Sequence, residues 1–309
     1  MKYDVSIYRS GKVESKHKVL YTDINSSNGY DIYLRSSFKI FQLLPFVVNE
    51  GVEKFKLKEE ALALFSSSHS GEPQHTKRIL KIIQENGFKE SDLFCTPHLP
   101  LYEKYSKDMI RRDEEPSQVH NNCSGKHTSM LLLCKILDIP INNYYELDHP
   151  LQKFVYGYLS DLFDKEIDIF GVDGCGAPIP YLNTLDVATI ASDLSRSTDK
   201  NGKAWSRIVE SMKKNPYLIA GTDRFDSTII DQSDGKILAK VGAEGVIFIQ
   251  TDNNTIILKS IDGSRRATDL TALSILRNLG LLQNPLLSIE KEIIYNKQNQ
   301  VVGEIKISK

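Results

Sequence analysis

The sequence predicts an α+β protein: an antiparallel sheet built from both chain ends, flanked by helices, with a mostly helical insert between them. Three observations predict it. Apolar–polar alternation opens the chain on either side of Ser10-Gly11-Lys12 and returns from Ile237 onward. Helix-period patterns fill most of the middle. Strands and helices come in runs rather than in strict alternation, which argues against a parallel doubly wound sheet. The 309 residues show no internal repeat and read as a single catalytic unit. Its α/β part spans about residues 1–35 and 215–309, and its mostly helical part about 36–214.

Taken in order, residues 3–9 and 16–22 form a hairpin and Asn25–Asp31 a polar turn. Ser36 opens a helix whose apolar spacing runs through Phe38, Phe41 and Leu44 and stops at Pro45. Lys58–Phe65 is a short helix ending in the hydroxyl-rich loop Ser66–Glu72. Pro73 starts a helix that reaches Glu85, and Gly87 closes it. Residues 91–119 read as one long polar loop with three prolines. A helix with a buried body at Met130–Leu133 follows, then another at Leu151–Phe163. Ile167–Val172 reads as a short buried strand that breaks into Asp173–Pro178. Thr184–Ser195 and Lys203–Lys214 are helical. Ile237–Val241, Val246–Gln250 and Thr255–Ile261 are strands, Arg265–Leu279 a helix, and Glu292–Ile307 a hairpin about Asn296–Gln300.

Composition narrows the function classes. A net charge of −1 gives no general pull toward nucleic acid or anionic membranes. No apolar run approaches the ~20 residues of a membrane span. The opening MKYDVSIYRSGK has no apolar signal core. Four cysteines without tight pairing make no disulfide framework, which predicts a cytoplasmic protein with reduced thiols.

Chemistry concentrates in a few places. His120–Lys135 gathers Cys123, Lys126, His120 and His127 at a helix start. Ser36 and Lys39 lie three apart, on one helix face, where a neutral lysine takes the proton of a serine nucleophile. Ser-x-x-Lys is common here: it also starts at Ser15, Ser197, Ser211, Ser233 and Ser288. Ser36 stands apart because it opens an apolar helix, where burial favours the base form of Lys39. Late in the chain, Lys240-Val241-Gly242 ends a strand, and the glycine permits close backbone approach to a ligand. An early Ser-x-x-Lys with a late Lys-x-Gly is the pattern of serine β-lactamases and penicillin-binding proteins. Ser68 or Ser70 offers a second hydroxyl. Cys123 and Cys175 offer two thiolates for zinc, with Asp173, His127 or His120 completing a set. A redox pair or a Cys–His nucleophile uses the same residues. Cys95 and Cys134 read as buried filler.

Six segments together resemble the rhizobial-type L-asparaginases, the thermolabile class 3. They are RSSFKIFQLLPFV (35–47), SSHSGEPQH (67–75), HNNCSGKHTSML (120–131), HPLQ (149–152), DGCGAP (173–178) and AKVGAEGV (239–246). HNNCSGKH is the most specific. Thr128-Ser129 and Gly176 depart from the family's commoner residues. The resemblance implies a serine β-lactamase/glutaminase-like fold and hydrolysis of L-asparagine to L-aspartate and ammonia. It implies two serine–lysine pairs, Ser36 with Lys39 and Ser68 with Lys240. It implies a metal group, typically zinc, at Cys123, Lys126 and Cys175 with Asp173 alongside, and a homodimer.

The expected mechanism has Ser36 attack the amide carbon while Lys39 accepts its proton. Ser68 and Lys240 then relay a proton to the leaving ammonia. Arg35, His69, Asp173 and Gly242 are the expected substrate contacts. Three rivals stand beside it: a glutaminase or other amidase using Cys123, a penicillin-type peptidase, and a non-catalytic module that binds an amino acid or a metal. No organic cofactor, nucleic acid or membrane partner is expected.

Overall fold

The structure is a computed structural model and describes residues 1–282 and 292–309. The chain opens with strands β1 (Lys2–Arg9), β2 (Lys12–Asp23) and β3 (Asp31–Tyr33). A 3-10 turn, Arg35–Phe38, leads into helix α1 (Lys39–Val48). Helices α2 (Gly51–Lys54), α3 (Glu60–Phe65), α4 (Pro73–Glu85), α5 (Glu103–Arg111), α6 (Ser124–Leu137) and α7 (Pro150–Phe163) follow. Strands β4 (Phe170–Val172) and β5 (Pro178–Asn183) pair antiparallel. Helices α8 (Thr184–Arg196), α9 (Lys200–Lys214), α10 (Pro216–Ala220) and α11 (Phe225–Gln232) come next. The chain ends with β6 (Ile237–Gly242), β7 (Val246–Thr251), β8 (Thr255–Ser260), α12 (Arg265–Asn278), β9 (Ile293–Tyr295) and β10 (Val301–Ser308). Among the described residues no helix is long and apolar enough to cross a membrane.

The chain divides into two compact units. The first comprises residues 1–37, 183–192 and 223–309. Its centre is a sheet ordered β6-β7-β8-β2-β1-β10-β9, antiparallel throughout, so the fold class is α+β as the two-ended pattern predicts. Asp4 pairs with Ser308 and Val19 with Ser260, which stitches the first residues to the last. Val5, Val19, Ile247, Ile249 and Ile256 are fully buried on this sheet. Helix α12 packs on it through Ala267, Leu270, Leu273 and Leu276, and the Ser264 side chain caps that helix by accepting from Ala267 N–H.

The second unit comprises residues 38–182 and 193–222 and is mostly helical. Phe41 of α1 sits against Phe38, Phe163 and Trp205, with ring centroids 4.9–5.6 Å apart. Helix α6 crosses α3 so closely that a Cβ on Gly125 would lie 2.1 Å from the Leu64 carbonyl oxygen.

Three expected elements differ. The helix expected to stop at Pro45 runs on to Val48. Proline removes one helical N–H at a cost of about 3 kcal/mol, but every residue from Lys39 to Val47 is buried, so packing carries the helix past it, and Asn49 closes its end by donating from Nδ2 to Pro45 O. The stretch 91–119 is no continuous loop, because α5 interrupts it. That helix is short, buries only Met109 and carries surface pairs such as Lys107–Glu103, so few apolar residues mark it within a polar stretch. The strand expected at Ile167–Val172 shrinks to Phe170–Val172 and is not buried: Val172 is 79% exposed.

Gly125→Ala forces the α3–α6 contact apart. Overpacking of this kind costs about 1–3 kcal/mol, occasionally more. The variant is expected to melt earlier, with an earlier change in Trp205 fluorescence. An unchanged melting temperature would show that the two helices are free to separate.

Candidate active site and metal centre

In the first unit, the chain leaves β3 and turns at Arg35, whose φ of +54° lies in the left-handed region that non-glycine residues rarely adopt. Ser37 anchors the turn, since its N–H and its Oγ both reach the Leu34 carbonyl, at 3.2 and 2.7 Å. Ser36 sits on this turn, 9% exposed. Gly242, at the end of β6, passes against the same backbone: a Cβ there would stand 2.7 Å from Leu34 O and 3.3 Å from Ser37 N. The expected close approach at Gly242 therefore exists, but to the protein's own backbone.

Lys240 is on edge strand β6, yet it is completely buried, so it is no solvated edge charge. Its Nζ donates to Val241 O at 2.7 Å and stands 3.6 Å from Asp226 Oδ2. Burial works against the Asp226 carboxylate. Lys240, Arg224 and Arg265 nonetheless hold its pKa below the usual value. Asp226 carries no motif and is invisible in the sequence.

In the second unit, Lys39 is 1% exposed and its Nζ donates to Ser68 Oγ at 3.0 Å and to Ser67 O. The lysine expected to serve Ser36 thus reaches the hydroxyl expected to pair with Lys240. The loop Ser66–Glu72 is buried throughout. Ser68 N–H donates to Ile219 O at 2.8 Å, and Ser70 Oγ to Ala220 O at 2.7 Å. Ser68 is the hydroxyl that Lys39 meets.

His69, an expected substrate contact, is fully buried with both ring nitrogens engaged. Nδ1 accepts from Gly71 N–H, so Nε2–H donates to Ser124 Oγ at 2.9 Å. The ring stacks on His75, and His75 on Tyr217, with centroids 5.0 Å apart in each pair. His69 therefore holds the loop in place, and no ring nitrogen is left for substrate.

Three of the other Ser-x-x-Lys copies are structural. Ser211 Oγ donates to Glu59 O, Ser233 Oγ to Ile230 O, and Ser197 Oγ accepts from Asp199 N–H. The copy at Ser288 lies outside the described residues.

The thiol-rich group forms where two turns meet. Asn121 Oδ1 accepts from Cys123 N–H at 2.8 Å and sets Cys123 at the N-terminus of α6. The β4–β5 hairpin closes with Asp173 N–H on Ala177 O and Gly176 N–H on Asp173 O, both at 2.9 Å, and presents Cys175. Ligand atoms of Cys123, Asp173 and Cys175 all lie within 4.8 Å of one another, and all three residues are buried. Lys126 is 3% exposed beside them. Cys123, Lys126 and His127 draw the Cys175 pKa well below normal, while Cys175 and burial push Cys123 well above it. Burial opposes the Lys126 ammonium, but Cys175, Cys123 and Asp173 raise its pKa. Two sulfurs and a carboxylate in one buried cluster suit a zinc-like cation, so the donor set fits the implied group. Burial pushes Cys95 and Cys134 up to about 12, which leaves both as inert thiols.

Sequence reasoning missed Tyr144, which closes on this group from the loop before α7. The only signal for its partner was spacing, since His127 lies one helical turn after Cys123.

Burial lowers the pKa of His69, His75, His120 and His127 below the ordinary 6.5. The unfolded chain then takes up protons first on acidification. The stability these neutral rings contribute is complete above about pH 6.5 and is lost as pH falls toward their folded values. Urea midpoints are expected to hold level above that pH and to drop below it. A midpoint that rises on acidification would contradict neutral, buried rings.

The protein-family model described as L-asparaginase II matches residues 5–307. No curated protein matches. Among solved structures, the chain is similar to a Bacteroides dorei DSM 17855 protein described as a beta-lactamase, at 8% identity and a TM-score of 0.40, covering 89% of this chain and 93% of that one. With all but a few residues at each end matched by one family model, as the six segments imply, the chain belongs to the L-asparaginase II family.

Proposed function

We propose that the protein is an L-asparaginase, hydrolysing the side-chain amide of L-asparagine to L-aspartate and ammonia through an acyl-enzyme. The L-asparaginase II match across nearly the whole chain carries this reading. Ser36 Oγ attacks the amide carbon, and Lys39 takes its proton. Backbone N–H groups hold the oxyanion. The C–N bond breaks as Ser68 and Lys240 pass a proton to the departing ammonia. Water then cleaves the ester to release aspartate and free Ser36. Arg35 pairs with the substrate α-carboxylate.

The Lys39–Ser68 hydrogen bond favours a second reading, with Ser68 as nucleophile and Lys39 as its base. Serine replacement separates the two. Ser36→Ala is expected to cut ammonia release from asparagine by at least about 1,000-fold, and to abolish acyl-enzyme trapping. If Ser36→Ala turns over normally while Ser68→Ala is dead, the roles are exchanged. Glutamine, assayed beside asparagine, tests substrate choice, since one methylene is worth only about 1–3 kcal/mol. Ammonia from neither amide would leave an amino-acid-binding module. A Cys123 amidase is disfavoured because that thiol is buried with a raised pKa.

We assign Cys123, Lys126 and Cys175, with Asp173 alongside, to zinc. Bound there, the ion would add a fixed positive charge that orients polar groups of the substrate. Uptake requires Cys123 and Lys126 to lose protons, and both hold them tightly. Zinc affinity is therefore expected to rise with pH, with proton release measurable by calorimetry in two buffers. A pH-independent affinity would exclude these ligands. We further place the enzyme in the cytoplasm as a homodimer. The four cysteines, all unpaired, support a reducing compartment.

A further inference from the structure

We propose that His127 and Tyr144 are positioning residues of the thiol-rich group: Tyr144 fixes the imidazole tautomer, and His127 holds the Cys175 sulfur through Nε2–H. The proposal rests on the reading of that group as a metal site. Both residues are completely buried. Tyr144 Oη accepts from Phe94 N–H at 3.1 Å and lies 2.7 Å from His127 Nδ1. A buried phenol needs an acceptor for its own hydrogen. Nδ1 is the acceptor in reach, so the phenol donates to it. The ring proton then resides on Nε2.

Nε2 is buried and has no hydrogen-bond partner among the described residues. It belongs to the residue that follows Lys126 and lies one helical turn after Cys123, beside the cluster that holds the Cys175 sulfur. A histidine kept for packing alone would satisfy both nitrogens or be replaced by an apolar ring. Here one nitrogen is tied to a phenol that is itself tied to the backbone, and the other is a buried N–H left without a partner beside the cluster. Helix geometry makes this possible. Cys123, Lys126 and His127 fall at successive positions of one α6 face, so a single helix carries a thiol, the lysine and the imidazole that steadies the opposing thiol. The rings of Phe94 and Tyr145 brace Tyr144, at 5.6 and 6.3 Å between centroids. Outer groups of this kind orient metal ligands, and their loss typically weakens metal binding about 10–100-fold.

The test is metal binding by the full chain. Zinc affinity is read by competition with a chromophoric chelator, and cobalt(II) serves as a spectroscopic probe through its thiolate charge-transfer and ligand-field bands. His127→Leu is expected to weaken zinc binding about 10–100-fold and to shift the cobalt bands. His127→Gln returns an N–H donor to similar reach and is expected to restore most of the affinity. Tyr144→Phe keeps the packed ring, removes only the hydroxyl, and is expected to weaken binding by a smaller factor. Melting curves identify any variant that fails to fold, and Tyr144→Phe carries the test if His127→Leu does. Native affinity and spectrum in both His127→Leu and Tyr144→Phe would overturn the proposal while leaving the metal reading intact. Equal losses in His127→Gln and His127→Leu would overturn it too, because the donor would not matter. If the native chain binds neither zinc nor cobalt, the metal reading fails and this proposal fails with it.

Discussion

Among the described residues three lysines are buried: Lys39 at 1%, Lys126 at 3% and Lys240 at 0% exposure. A lysine nitrogen removed from water must find charge or hydrogen-bond partners, or its burial costs several kcal/mol. Each finds a different kind. Lys39 donates to a carbonyl and a hydroxyl, Lys126 lies among two sulfurs and a carboxylate, and Lys240 has a carbonyl and Asp226. Much of the polar interior follows from meeting these needs. Removing one partner of a buried charge typically costs about 3–5 kcal/mol, so each partner is held as firmly as the lysine it serves.

The loop Ser66–Glu72 shows what that demands. Its composition suggests a flexible connector, yet it is a buried shelf pinned along its length. Ser68 and Ser70 tie it to residues 219–220, and Glu72 accepts from both Thr222 N–H and Thr222 Oγ. His69 ties it to Ser124 at the start of α6. A carbonyl that accepts from a buried lysine nitrogen cannot wander without losing its partner, and the loop's rigidity is the other side of Lys39's burial.

Much of this was legible in the sequence. Period-two alternation marked the sheet at both ends, and Pro73 and Gly87 bracketed α4 because each has a fixed backbone meaning. The thiols and the lysine of the α6 start were legible as chemistry, since Cys123 and Lys126 lie one helical turn apart. What escaped was tertiary. Pro45 reads as a stop unless the burial around it is known. Helix α5 is short and has few apolar residues to announce it. Lys39 and Ser68 are 29 residues apart, and the His127–Tyr144 pair joins a motif to an ordinary polar loop. Asp226 pairs with a lysine that only the folded sheet brings near. Local rules reach one turn or one hairpin, whereas these contacts depend on how whole elements dock.

The sheet's connectivity carries a further consequence, for synthesis. β1 is made long before its neighbour β10, with Asp4 opposite Ser308. Until β10 has emerged, the β1 edge that it will cover lacks its partner, while α1 to α9 can already collect around Phe41 and Trp205. Contacts of such sequence separation form slowly, and an unpaired strand edge is prone to associate with other chains. The helical unit is therefore expected to mature first on the nascent chain. A truncation that removes β10 would then harm solubility more than its distance from any proposed catalytic side chain suggests.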